Sequence, residues 1–295
     1  MDSVEIPDGA VVVGIDGSEH SSRALTWAAD QADRDRRPLV IMHALSGVDP
    51  YWMVQPVVDV QALKASMVDG AEQLLAAARD AVASEHPALD VAVGSRSEDP
   101  RHLLIEASEH AAMVVVGSHG RGPVKRLLLG SVSVGLTRHA RCPVAVVRPD
   151  HGMPRRSGVL VGIDGTPQSL LTLDQAFRIS ASRDAPLTVV HCFLDTDTTG
   201  RSARLITPDD EKYDELRLVV EEALAGVRER YPEVPVTIEL VEGLADDVLL
   251  RLASGLDVAV VGSHERSTLS DLVLGSVAGT LVEHATCTVV VVPRP

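Results

Sequence analysis

Gly117-Ser118-His119-Gly120, followed after a nine-residue gap by Gly130-Ser131, has the composition of an anion-binding loop. Glycines at the end of an apolar run let the backbone turn with φ > 0 and let a ligand approach without meeting a Cβ. A Gly-Ser pair at a helix start offers N–H groups, a hydroxyl and the positive end of a helix dipole to an anion. Together these features describe a phosphate cradle. A near copy follows 145 residues later, Gly262-Ser263-His264-Glu265 and then Gly275-Ser276, in which one glycine has become glutamate.

No catalytic constellation accompanies the loops. The chain has no H-E-x-x-H, no cysteine cluster for zinc, and no lysine in a G-x-x-x-x-G-K-[ST] run to grip β- and γ-phosphates. Cys142, Cys192 and Cys287 form no C-x-x-C and read as small buried hydrophobes. Each candidate also has a plain structural use. Asp16 can serve as a turn residue, Gly130-Ser131 as a helix cap, and His43 and His191 as packed strand ends. His119 and His264 can point past a ligand, and Lys125 and Arg126 can be solvated surface charge.

The loops belong to a unit written twice. Val11-Val12-Val13-Gly14-Ile15-Asp16-Gly17-Ser18 returns 148 residues on as Val159-Leu160-Val161-Gly162-Ile163-Asp164-Gly165-Thr166. Cys142-Pro143-Val144 returns as Cys287-Thr288-Val289. A period this long means two domains of one kind rather than a solenoid. The expected domains are 1–150 and 157–295, joined by a linker over 151–157. In the first copy, near-continuous Val/Ile runs at 10–16, 39–45, 89–94, 112–117 and 143–148 predict parallel strands covered on both faces. Helices are predicted over 19–35, 60–86, 99–110 and 131–140. The second of these carries Val60, Leu63, Met67, Ala71, Leu74, Ala78 and Val82 at helical spacing, and Asp99-Pro100 has the form of an N-cap and helix start. The order makes two tandem doubly wound α/β domains of five strands each, with the ligand beyond strands one and four. Asp16 and Gly117 end those two runs.

The early Gly-x-Asp-Gly-Ser, the Gly-x-x-Gly loop with its nine-residue gap to Gly-Ser, and the Cys-Pro-Val strand together resemble the ATP-binding branch of the universal stress proteins. The resemblance covers nearly the whole chain as a tandem pair. It implies a nucleotide-binding regulator of stress response, dormancy or growth, with slow ATP turnover at most. The implied contacts in the first copy are Gly14 by the adenine, Asp16 toward the ribose or the metal–phosphate side, and the Ala44 backbone on the adenine edge. Gly117, Gly120 and Gly130 would approach ribose and phosphates, Ser131 and the Val132 N–H would hold the phosphates, and Ser133 would add a hydroxyl. Mg2+ would arrive with the ATP. The alternative is a slow ATP-hydrolysing or nucleotidyl-transfer enzyme. The ATP pyrophosphatases of this wider group favour Ser-Gly-Gly-x-Asp-Ser after the first strand, a run that residues 14–18 lack.

In the second copy Asp164, Gly262, Gly275 and Ser276 persist, but Glu265 stands where a triphosphate would lie. Residues 117–131 carry Arg121, Lys125 and Arg126 for a net +3, whereas 262–276 carry Glu265, Arg266 and Asp271 for a net −1. Strong binding is expected in the first copy and weak or no binding in the second.

The formal charge of −15 and the 2% aromatic content argue against a nucleic-acid partner. The acidic N-terminus lacks signal-peptide features and no apolar run reaches the roughly 18 residues of a membrane span, so a cytoplasmic protein is expected. The final strands of the two copies, left bare, would be adhesive edges. They are expected to be covered within the chain or by a second chain, and a homodimer through them is expected. An unidentified regulatory protein partner is expected too, with contacts in the loop 46–59, which holds Tyr51, Trp52 and Met53, or in a polar, mobile segment 195–210.

Overall fold

The computed structural model describes residues 5–45, 60–120, 129–149, 156–193, 203–263 and 274–294. The chain divides into two compact units, Met1–Val147 and Arg148–Pro295. In the first, the elements run β1 (Val11–Gly14), α1 (Glu19–Asp35), β2 (Leu39–Ala44), α2 (Val60–Glu85), β3 (Val91–Arg96), α3 (Pro100–Ala107), β4 (Met113–Gly117), α4 (Ser131–His139) and β5 (Val144–Val147). The sheet order is β3-β2-β1-β4-β5 and every pairing is parallel. β1 therefore lies between β2 and β4, and the strand order reverses there. A crevice must open at their carboxyl ends, because the chain leaves the two neighbouring strands toward opposite faces.

The apolar runs explain the sheet. Val11, Val12 and Val13 are all but fully buried, as strands covered on both faces must be. Helix α1 meets them with a stripe of alanines, Ala24, Ala28 and Ala32, which lets the helix lie close. Its start is set by Ser18, whose hydroxyl accepts from the Ser21 N–H at 3.2 Å. Helix α3 begins as the sequence predicts: the Asp99 carboxylate accepts from the Arg101 N–H at 2.8 Å and Pro100 occupies the first turn.

Two elements depart from the sequence reading. Strand β3 is displaced two residues toward the C-terminus, because the Leu89 N–H closes a turn on the His86 carbonyl. The strand then runs on through polar Ser95 and Arg96, whose carbonyl accepts from the Leu45 N–H at 2.8 Å. In α2 the core stripe is Ala71, Leu75, Ala78 and Val82, while residues 61–66 are exposed. The helix is longer than the sheet it covers, so Leu63 gains no core neighbour and Met67 and Leu74 face the crevice instead.

The second unit repeats the plan with β6 (Arg156–Ile163), α5 (Ser169–Arg183), β7 (Leu187–Phe193), β8 (Arg204–Leu205), α6 (Tyr213–Arg228), β9 (Val236–Glu242), α7 (Ala245–Ala253), β10 (Leu256–Gly262), α8 (Ser276–His284) and β11 (Thr288–Val292). The order is β11-β10-β6-β7-β9-β8, parallel except for the short antiparallel β8. Arg156 and Ser157 already belong to β6, the Arg156 N–H donating to the Gly255 carbonyl at 2.7 Å, so the strand claims the end of the expected linker. Residues 203–210 are held rather than loose. Arg204 reaches Asp210 at 2.5 Å and Glu242 at 3.2 Å, and Ile206 is buried. The loop 46–59 lies outside the described residues, as do 194–202 and the basic residues Arg121, Lys125 and Arg126. Among the described residues no helix is long and apolar enough to cross a membrane.

Candidate functional site

The crevice of the first unit is a cleft of about 840 Å³, within the range of roughly 300–1,000 Å³ usual for small-molecule sites. All nine candidates of the first copy line it: Gly14, Asp16, Ala44, Gly117, Gly120, Gly130, Ser131, Val132 and Ser133. One end is apolar, with Met42, Leu45, Met67, Leu74, Leu103 and Leu104. The other carries Asp16, the glycine loop and the start of α4. At that end the N-cap is Gly130, which offers no side-chain acceptor to the first amides of the helix. These amides and the dipole are left to an anion.

Ala44 is placed by strand alternation. The Leu45 N–H bonds β3, and the Met42 carbonyl accepts the Ile15 N–H on the β1 side. Backbone groups alternate sides along a strand, so Ala44 directs its N–H and carbonyl to the β1 side, past the last β1–β2 rung at Gly14–Met42. An adenine edge there would find one donor and one acceptor. His43 spans the same gap, its Nδ1 2.7 Å from the Ile15 carbonyl, which fixes Nδ1 as the protonated nitrogen.

The glycines are needed for reasons other than a turn. Gly117, Gly120 and Gly130 are not in the left-handed region; in the Asp-Gly-Ser turn it is Gly17 that has φ +79°. A Cβ at Gly117 would stand 2.8 Å from the His20 backbone, and one at Gly14 would stand 2.6 Å from Leu104. At these two positions the absent side chain makes room for α1 and α3, not for a ligand. A Cβ at Gly120 would lie 2.6 Å from an Asp16 carboxylate oxygen, so this glycine admits the carboxylate into the cleft. The other Asp16 oxygen accepts the Ser18 N–H at 2.9 Å. Ser133 also needs correction as an extra phosphate hydroxyl. It is buried, and its Oγ donates to the Gly117 carbonyl at 2.8 Å, tying α4 to the end of β4.

Sequence reasoning put Ala71 on the apolar stripe of α2 but missed that it and Gly70 line the apolar end of the cleft. Their signal was a Gly-Ala pair inside a helical pattern, at a cost in helix propensity. It also missed His20, whose ring lies 5.1 Å from that of His119.

The universal stress protein family pattern matches residues 9–148 and again 156–293. The chain belongs to the universal stress protein family. A universal stress protein of Mycobacterium tuberculosis is 35% identical over 288 residues, covering 95% of this chain and 96% of that one. Another, from Mycolicibacterium smegmatis, is 35% identical over 293 residues and covers 97% of each. The crystal structure of a universal stress protein from Archaeoglobus fulgidus shares the tandem fold, with a TM-score of 0.70, 21% identity, and coverage of 97% of this chain and 98% of that one.

The second universal stress protein domain keeps the frame of the site. Gly275 donates to the Ser263 carbonyl at 2.8 Å, as Gly130 does to Ser118, and again caps its helix without a side-chain acceptor. Gly262 ends β10, and Ser276 begins α8. The aspartate differs. One Asp164 oxygen takes the Thr166 N–H at 3.0 Å together with the Thr166 and Ser169 hydroxyls at 2.6 Å each. The buried positions Leu75 and Val82 of α2 match Val220 and Val227 of α6, and His86-Pro87 after α2 matches Tyr231-Pro232 after α6, an offset of 145 that sets Glu215 and Leu216 where the first domain has Gly70 and Ala71. Val219 closes in as well, its Cγ1 2.7 Å from where a Cβ of Gly165 would sit. Residues 264–273, including Glu265, lie outside the described residues.

Proposed function

We propose that the first domain binds ATP in this cleft and that nucleotide occupancy regulates a protein partner. The observation that carries the reading is that residues the family resemblance implies as nucleotide contacts, Asp16, Ala44, Gly120, Gly130 and Ser131 among them, line one cleft with an apolar end and a helix N-terminus facing it. The apolar end takes the adenine, with the Ala44 backbone on its edge. Asp16 faces the ribose or the metal–phosphate side, and the Ser131 hydroxyl and the amides of α4 take the phosphates. Mg2+ travels with the ATP, and nothing in the reading requires turnover. The second domain serves as a retained fold with weak or no nucleotide binding, because Leu216 and Glu265 occupy space and add charge where the first domain has Ala71 and Gly120. The protein acts in the cytoplasm as a homodimer of tandem chains, for which light scattering supplies the mass.

The test is mass spectrometry of nucleotide that co-purifies with the chain, compared with Asp16→Ala. ATP retained by the wild type and lost from the variant supports the reading. Its absence from both, with no rise in melting temperature at millimolar ATP, overturns it.

A further inference from the structure

His119 lines the phosphate end of the cleft between Gly117 and Gly120, yet the reading above gives it no task. Behind it stands His20, the second residue of α1, with ring centroids 5.1 Å apart and planes tilted by 44°. The His20 Nδ1 is buried and has no hydrogen-bond partner. An orphaned buried polar atom is costly, and this one lies directly behind a loop that lines the cleft. The Ser118 hydroxyl lies 3.1 Å from the His119 Nδ1. A hydroxyl can donate to a neutral ring nitrogen or accept from a protonated one, so Ser118 serves both charge states.

We propose that His119, backed by His20, is a proton-linked phosphate contact. The pair takes one proton from water when the terminal phosphates of the nucleotide arrive. This rests on the nucleotide reading of the cleft and assigns a specificity role to a loop residue within it. In the free protein, burial is the largest influence on His20 and lowers its proton affinity, followed by His119 and Arg23; Glu19 and Asp16 oppose them. Arg23 is itself paired with Glu19 at 2.5 Å. A polyphosphate placed beside the pair adds negative charge next to the rings and favours the protonated form. The site therefore distinguishes nucleotides by phosphate charge, and most strongly where imidazole titrates.

The experiment is titration calorimetry of ATP and of adenosine with the full chain between about pH 6 and about pH 8, for wild type and His119→Gln. Wild type is expected to bind ATP about tenfold more tightly at the lower pH, the equivalent of a one-unit pKa change. Adenosine affinity stays flat, and the variant loses the slope for ATP while still binding adenosine. The ionisation of ATP itself cancels in the difference between wild type and variant. Histidine ring-proton titration of the wild type with and without ATP needs no variant, and should show one of the two rings gaining proton affinity. Equal ATP slopes in wild type and variant, or unshifted ring titrations in bound protein, overturn the proton link and leave the nucleotide reading standing. No ATP binding at any pH overturns both.

Discussion

Replacing Gly120 separates a ligand-site glycine from a packing glycine. Among the described residues a Cβ at Gly120 meets the Asp16 carboxylate, its nearer oxygen at 2.6 Å, whereas one at Gly117 meets His20 backbone at 2.8 Å. The Asp16 carboxylate is the end of a side chain and can give a little while keeping its Ser18 bond; the backbone of α1 cannot. Gly120→Ala should therefore leave the melting temperature nearly unchanged and weaken ATP binding by about 1 kcal/mol, the worth of one displaced polar contact. Gly120→Glu copies the residue of the second domain. A carboxylate ~6 Å from phosphate charge costs about 3 kcal/mol per charge pair at an effective dielectric near 20, and screening roughly halves this. The expected loss of affinity is thus on the order of tenfold to a hundredfold. Gly117→Ala should instead destabilise the domain by about 1–3 kcal/mol through overpacking, with a fall of ~2–4 °C per kcal/mol. Calorimetric titration and thermal melts on the three variants check this. Wild-type ATP affinity in Gly120→Glu would refute the placement of Asp16 and phosphate beside residue 120.

Three further outcomes are expected. Ser133→Ala should lower stability by about 1 kcal/mol, through loss of the bond to the Gly117 carbonyl, with ATP affinity within about twofold of wild type by titration calorimetry. Asp99→Ala should cost about 1 kcal/mol in chemical denaturation, and Asp99→Asn, also a good cap, much less. The Arg101 side chain holds the Asp99 carboxyl down to about 2. Because the folded value is depressed, the contribution is fully present above the ordinary carboxylate range near ~4 and is lost only as the pH falls through about 2. Acid melts of wild type and Asp99→Asn should converge in that window, because the protonated carboxyl has lost the charge that the amide never carried. Burial pushes the Cys142 and Cys192 thiols up to about 12, so the native protein should react slowly with a thiol reagent at neutral pH and quickly once unfolded.

The repeated α/β plan was legible because Val and Ile runs announce buried parallel strands, and because Asp99-Pro100 marks a helix start by its own residues. The site was legible by position, since the strand order that follows from such a plan puts Asp16 and Gly117 at one crevice. What the glycines do there was not. Gly14 and Gly117 are glycine for Leu104 and His20, partners distant in sequence, and local spacing carries no trace of such contacts. Ser133 read as a ligand hydroxyl because its bond to the Gly117 carbonyl exists only once α4 docks on β4. Gly70 and Ala71 line the cleft, and a helical pattern does not tell a position that faces a cleft from one that faces the core.

The measurement that bears most directly on the central claim is the stoichiometry of ATP binding to the full tandem chain by titration calorimetry. One ATP per chain, abolished by Asp16→Ala and unaffected by Asp164→Ala, is the predicted result. Two equivalent sites, or a single site removed by Asp164→Ala, would contradict it.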